Sequence, residues 1–254
     1  QKEIDFLEDI SLEDSIPVIG DYAEVEVGIT TGANSFFTVP ASIVEEFELK
    51  SYAKPLVGRS VQVNSLLFKK EDWAQNVNMG ARAYLLAFPN LDQLNKNKKA
   101  LEYLISGEQK NIHSGYKCRI RDEWQIVPSL WVPDAFFIRR NNRYPRLIIN
   151  EANAYSTDTM HRLKLKENVK KNALAAGFYN SLSFAYSEIS GRSYGGGVLE
   201  LMPGEVKKIC LPYKDENAAL VDDIDEMMRK KYNISKILEY TNNIILKQGL
   251  GFNE

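Results

Sequence analysis

Three stretches of the chain carry side chains whose types and spacing suit contact with a polyanion. Segment 116–146 interleaves bases with rings: Tyr116, Lys117, Arg119, Arg121, Trp124, Trp131, Phe136, Phe137, Arg139, Arg140, Arg143, Tyr144 and Arg146. Arginine clamps phosphate and reads a guanine edge through two hydrogen bonds, while a ring stacks on an unpaired base. Core packing is the competing use of Trp124, Trp131, Phe136 and Phe137, with the arginines framing them. From this stretch Arg119, Arg121, Arg139, Arg140 and Arg143 are the candidate nucleic-acid contacts. The second stretch gathers Asn150, Asn153, Tyr155, Thr157, Asp158, Thr159, His161 and Arg162 just after an expected strand. Loops held by rigid strands are where base-reading groups sit, although turn formation equally accounts for Asn150, Asn153 and Asp158. The third is Gly191-Arg192-Ser193-Tyr194-Gly195-Gly196-Gly197. Its glycines permit positive φ and close backbone approach; a tight bend from helix to strand is the competing reading.

Other chemistries lack their residues. The glycine spacing fits neither a dinucleotide loop nor a phosphate-gripping loop, and there is no Gly-x-Ser-x-Gly elbow, His-Glu-x-x-His or paired-cysteine motif. Cys118 and Cys210 are too few for a disulfide framework and read as small buried residues. Two histidines, His113 and His161, exclude a three-imidazole metal centre. Glu48-Leu49-Lys50 and Glu205-Val206-Lys207 match a metal-nuclease triplet, but both fall on expected helices and triplets this short arise by chance. We therefore expect neither a metal site nor a catalytic residue in this chain.

Charge is unevenly distributed. The net charge of −2 conceals −10 over residues 1–50, +3 over 51–109, +7 over 110–171 and −2 over 172–254. A basic block in an acidic chain suits a localised polyanion surface, with an ordinary solvated face as the alternative. The expectation is that these cations converge on one cleft. With 254 residues and 44% hydrophobic content the chain can bury a core. No apolar run is long enough for a membrane span and no signal-peptide layout is evident, so a cytoplasmic location is expected.

Positioning these groups calls for an α+β fold with mixed or antiparallel sheets, packed helices and C-terminal helices. Strands are expected over 21–27, 34–39, 66–68, 84–88, 136–138, 147–149, 160–165 and 198–201. Helices are expected from Pro40 to near Ser51, over 91–105, 173–189, 216–231 and 235–247. The division of the chain is a tail, residues 1–20, entering from something else, a body over 21–213 and a helical segment over 214–254.

Four strings in order resemble a known family: Val27-Gly28-Ile29-Thr30-Thr31-Gly32-Ala33-Asn34-Ser35-Phe36-Phe37, Trp124…Pro128 with Pro133-Asp134, Asn150…Tyr155-Ser156-Thr157-Asp158-Thr159-Met160-His161, and Gly191 through Pro203. Together they are similar to the C-terminal target-recognition region of bacterial restriction-modification adenine-N6 DNA methyltransferases, over about residues 21–213. The resemblance implies a target-recognition-domain-like fold and a double-stranded DNA partner. It also implies a preceding catalytic domain that binds S-adenosylmethionine and works on a flipped adenine through an Asn-Pro-Pro-aromatic motif. That motif and a cofactor loop are absent here, so the chain is expected to be silent alone, with the cofactor held by the catalytic domain and residues 1–20 linking to it. By position, Thr31, Gly32, Asn34, Phe36 and Phe37 would form a first recognition loop, with Asn34 at a base edge or phosphate. Thr157, His161 and Arg162 would face DNA on a second motif, and Arg192, Ser193 and Tyr194 on a third. The competing function is a protein-interaction module that docks on a catalytic or restriction subunit, with little DNA affinity alone.

Overall fold

The strongest strand signals are runs of β-branched, aromatic and leucine residues with no polar face, which is what a strand buried on both sides requires. In the computed structural model, which describes residues 16–94 and 96–252, these runs form the centre of the molecule. The expected 1–20 tail therefore lies mostly outside the described residues. Its last part does not: Val18 bridges Cys210, and Ile19 is fully buried.

In chain order the strands are β1 (Ala23–Val27), β2 (Thr38–Val39), β3 (Ala53–Val57), β4 (Leu67–Phe68), β5 (Tyr84–Leu86), β6 (Ala135–Ile138), β7 (Arg140–Asn141), β8 (Leu147–Asn150), β9 (Tyr155–Ser156), β10 (Met160–Leu165), β11 (Arg192–Tyr194) and β12 (Val198–Glu200). They make a five-stranded sheet in the order β1-β10-β6-β8-β4, a four-stranded sheet β2-β5-β3-β9 and a three-stranded sheet β11-β12-β7. Pairing is antiparallel except for β4 with β8 and β3 with β9. The mixed α+β architecture is thus the one the sequence calls for.

Alternation along the central strands sorts side chains into two cores. Ala135, Phe137, Leu147, Ile149 and Leu163 face Leu174, Phe178, Tyr179, Ile224, Ile237 and Leu246. Phe136, Ile138, Ile148 and Met160 face the opposite way, with Val57, Val63 and Phe68. The smaller β2-β5-β3-β9 sheet has its own core of Phe37, Leu56, Leu85, Tyr103 and Leu104. Residues 214–252 are not an appendage: their apolar face completes the first core.

Several element boundaries move for identifiable reasons. The expected strand 34–39 begins as a helical turn, Asn34–Phe37, because Thr31 Oγ1 accepts the Ala33 amide and donates to Asn34 Oδ1, curling the chain. Residues 21–22 close a short helix, Ile19–Tyr22, and the helix after Pro40 ends at Glu46, not near Ser51, with Glu48 left-handed at φ 50°. The helix expected over 91–105 splits into Leu91–Leu94 and Lys98–Gln109, since Asn97 accepts the Ala100 amide and caps a new start. Likewise 173–189 divides into Lys171–Phe178 and Ser181–Ser190 at Asn180, which accepts the Ser183 amide.

Gly28 marks a point where backbones nearly touch. A Cβ there would lie 2.0 Å from the Thr157 carbonyl oxygen and 2.6 Å from that of Met160. Neither neighbour is a flexible side chain, so Gly28→Ala is expected to destabilise the fold by about 1–3 kcal/mol, read as a lower urea midpoint. An unchanged midpoint would show that the two turns are not held together here.

Candidate nucleic-acid interface

Antiparallel order places the ends of β1 and β6 beside the starts of β10 and β8, at one edge of the central sheet. β4, parallel to β8, also starts there. The connections at that edge are tied to one another. Gly28 N donates to Met160 O and Ile29 N to Ser156 O, joining the turn after β1 to the β9–β10 turn. Thr157 Oγ1 and Thr159 Oγ1 donate to Gly58 O at 2.9 and 3.2 Å, joining that turn to the end of β3. Arg146 donates to Val63 O and Ser60 O, adding the 60–65 connection, and Ile138 N donates to Arg146 O. Through β7 the rim continues into the β11–β12 hairpin. Thus parts of the three stretches singled out in the sequence, Arg121 and residues 138–146, residues 155–162 and the β11–β12 hairpin, meet along one rim, whereas Asn150, bonded to Pro133 O, lies at the opposite end of β8.

Their residues meet three fates there. The first is burial as scaffold. Thr31 is buried and bonds Asn34. Thr157 is buried on Gly58 O. Arg162 is 4% exposed, with its guanidinium on Val27 O, Ser129 O and Glu26 and 4.2 Å from the Trp131 ring centre. Arg121 is half-buried and holds Thr31 O at 2.7 Å and Trp124 O at 3.1 Å. His161 is fully buried, with Nε2 2.6 Å from Leu201 O. The sequence expectation that these side chains face DNA is corrected by the burial of Thr31, Thr157, His161 and Arg162 and by the Arg121 hydrogen bonds to backbone carbonyls: all five bond within the protein, His161 through Nε2 alone.

The second fate is pairing. Arg139 and Arg140 both bond Glu200 Oε1, at 2.9 and 3.0 Å, and Arg192 bonds Glu205. Burial would raise the Glu200 carboxyl, but hydrogen bonds from Tyr194 and Arg140 and the charges of both arginines hold it below its usual range. Arg140 and Arg192 remain largely exposed, so these pairs tether guanidinium groups at the surface without hiding them. The third fate is freedom. The side chains of Arg119, Arg143 and Ser193 are exposed without a hydrogen-bonding or ionic partner among the described residues, and exposed Asn34 keeps its amide NH2 unbonded there. Tyr194 is also exposed, beside the glycine tip where Gly196 and Gly197 take φ of 87° and 76°, but its hydroxyl bonds Glu200.

The expectation of one cleft gathering all the cations of 110–171 is therefore corrected. Arg121, Arg146 and Arg162 serve backbone carbonyls, Lys164 meets Asp134, Lys166 bonds Gly20 O and Lys170 meets Asp215. Among the described residues the side chains of Lys110, Lys117, Arg119, Arg143 and Lys171 meet neither a carbonyl nor a carboxylate, while exposed Arg59 joins the rim from outside that block. Arg59 was overlooked because only the topology of β3 brings it there. Among the described residues no three His, Cys, Asp or Glu side chains converge as metal ligands, and no helix is long and apolar enough to cross a membrane.

Burial lowers the pKa of His161 against the pull of its Leu201 hydrogen bond. Its Nδ1 has no partner among the described residues, so a second proton would be buried unpaired. The unfolded chain takes that proton below about pH 6.5; the folded one does so only at lower pH, so stability falls as pH drops below that value. The urea midpoint should decline between pH 7 and about 5.5 in the wild type and less in His161→Gln. An equal decline in both would contradict this assignment.

The family model described as Type II methyltransferase M.Eco57I, C-terminal domain, matches residues 1–246. The Type II methyltransferase M.AccI of Acinetobacter calcoaceticus is 24% identical over 197 residues, covering 74% of this chain and 35% of its own. Two solved structures share the fold at low identity. The type IIG restriction endonuclease BpuSI matches with TM-score 0.53 and 13% identity over 89% of this chain and 28% of its own. The Type IIL restriction-modification enzyme MmeI, solved in complex with DNA, matches with TM-score 0.61 and 10% identity over 94% of this chain and 34% of its own. The chain spans about a third of the length of each of these relatives. With the model matched across nearly all its residues, the chain belongs to the family of the M.Eco57I-type Type II methyltransferase C-terminal domain, a domain of restriction-modification methyltransferases.

Proposed function

We propose that this chain is the DNA-specificity domain of an adenine-N6 methyltransferase, binding duplex DNA along the rim and presenting it to a catalytic portion of the same protein. The observation that carries the reading is the convergence of the turn after β1, the β9–β10 turn, the Arg139–Arg146 connection and the β11–β12 hairpin on one sheet edge. Arg119, Arg143, Lys117 and Arg59 supply phosphate contacts, with Arg140 and Arg192 held in place by their carboxylates. Asn34 and Ser193 are the remaining polar groups for base edges, and Tyr194, its hydroxyl held by Glu200, offers its ring.

S-adenosylmethionine is assigned to the catalytic portion. The glycine run here does not fit it, because Gly195–Gly197 cap an exposed hairpin between two strands and form no cradle at a helix start. No step of methyl transfer is routed through this chain, and the bacterial cytoplasm is the compartment that suits such an enzyme. The docking alternative is less well supported by the C-terminal helices. Ile224, Met228, Ile237, Ile245 and Leu246 are buried in the chain's own core, which leaves Asp222, Asp223, Glu226 and Glu239 outside.

The test is anisotropy of a labelled mixed-sequence duplex titrated with the chain at about 50 and 200 mM salt, paired with analysis of N6-methyladenine in DNA exposed to the longer protein. Affinity that falls at least about tenfold with salt, together with methylated adenine, is the expected result. Undetectable binding at high micromolar protein, or methylation elsewhere than adenine N6, would overturn the corresponding half of the proposal.

A further inference from the structure

The short helix Tyr116–Arg119 carries an unusual surface. Its inward side chain, Cys118, is fully buried, whereas Tyr116 is 65% exposed and Ile120, one turn on, is 60% exposed. Residues four apart lie on one face of a helical turn, and Ile120 N donates to Tyr116 O, so the turn continues that far. Single exposed apolar side chains are ordinary; two large ones adjoining on one face are not.

Their surroundings are cationic. Lys110, Lys117 and Arg119 are exposed and have no carboxylate partner among the described residues, and Lys117 Nζ lies 5.8 Å from the Tyr116 ring centre. Of the nearby acids, Glu123 is turned to Leu91 N and Gln125 and Glu108 to Trp124 Nε1; Asp122 is exposed two residues beyond Ile120. The helix is also fixed to the rim. Arg121 grips the Thr30 and Thr31 carbonyls, and left-handed Gly32, at φ 81°, comes so close that an added Cβ would sit 2.7 Å from Lys117 Cβ and 3.2 Å from Cys118 Sγ.

We propose that Tyr116 and Ile120 form an apolar wedge that enters a base step of duplex DNA bound at the rim, with Lys117 and Arg119 on the flanking phosphates. The inference rests on the DNA-binding reading above and names the residues that distort the duplex. Apolar side chains inserted between base pairs unstack them and bend the helix, and the bend brings more backbone against cations. A ring stacks on an exposed base face whatever the base, so the wedge is insensitive to sequence. Charge selects DNA over a protein as the occupant, because the apolar centres of protein interfaces are depleted in lysine, whereas here unpaired cations ring the pair.

A duplex with one abasic site has its unstacking already done and needs no knowledge of the target sequence. The chain is titrated against a labelled mixed-sequence duplex and the same duplex carrying a central tetrahydrofuran abasic site, as wild type, Tyr116→Ala/Ile120→Ala and the exposed-ring control Tyr232→Ala. Circular dichroism and the urea midpoint verify that each variant is folded. Wild type and control should bind the abasic duplex about tenfold tighter than the intact one. The double variant should lose that preference while still binding the intact duplex with a salt-dependent affinity, since the cations remain. Equal wild-type affinity for the two duplexes, or a preference that survives in the double variant, overturns the wedge and leaves the patch to a protein neighbour. Binding to neither duplex at low salt overturns the DNA reading itself, and the wedge with it.

Discussion

Arg162→Ala is expected to destabilise the protein by about 3–5 kcal/mol, as the loss of a buried, fully bonded charge with its packing does. The guanidinium donates to Val27 O at 3.2 Å and to Ser129 O at 2.7 Å, and it stacks on Trp131. Removing it leaves two carbonyls short of a donor beneath the start of β10, opens a cavity against an indole, and frees Glu26 to solvent at little cost because that carboxylate is already exposed. Lysine is a poor replacement, since an ammonium cannot span both carbonyls while lying flat on the ring. Chemical denaturation checks this. A loss below about 1 kcal/mol, with DNA affinity reduced, would return Arg162 to the recognition surface where the sequence alone placed it.

Asp225→Ala should cost a comparable amount, about 3–4 kcal/mol, by breaking the tie between the helix Val221–Arg229 and the edge strand β4. Asp225 is 4% exposed; it accepts the Leu67 amide at 2.8 Å and Arg229 Nε at 2.7 Å, with Lys69 Nζ 3.8 Å away. Arg229 in turn donates to Leu67 O and to both oxygens of Asp72. Alanine would orphan a buried edge amide and loosen an arginine that bridges two helices. Asp225→Asn retains an acceptor for Leu67 N and should cost roughly half as much. Equal urea midpoints for wild type and Asp225→Ala would contradict the tie.

These two sites show what the sequence could and could not convey. The runs 136–138 and 147–149 were legible because burial on both faces leaves no polar residue in them. In Met160–Leu165 the same burial admits His161 and Arg162, and a local reading takes their polarity for exposure. Their partners are Leu201, Val27 and Ser129, between 33 and 135 residues away, so nothing near them in the chain signals neutralisation. Glu200 is likewise 60 and 61 residues from the arginines it engages. The charge block of 110–171 was a sound pointer to where cations lie and a poor one to which are free. The helix breaks at Asn97 and Asn180 were written in the sequence as capping residues, but apolar side chains at helical spacing on both sides of each masked the signal. The parallel pairings of β3 with β9 and β4 with β8, which complete the rim, join segments about 80 to 100 residues apart and leave no local trace.

The rim's role as a duplex-binding surface is tested most directly by the salt dependence of affinity in a variant that alters only free cations. The side chains of Arg119 and Arg143 bond nothing among the described residues, so Arg119→Ala/Arg143→Ala should fold as the wild type does. If each arginine neutralises a phosphate, the slope of log Kd against log salt for a mixed-sequence duplex falls by about two in the double variant. It should stay unchanged in Lys230→Ala/Lys236→Ala on the C-terminal helices. A slope unaltered by the loss of Arg119 and Arg143, or altered equally by the control pair, would contradict the account.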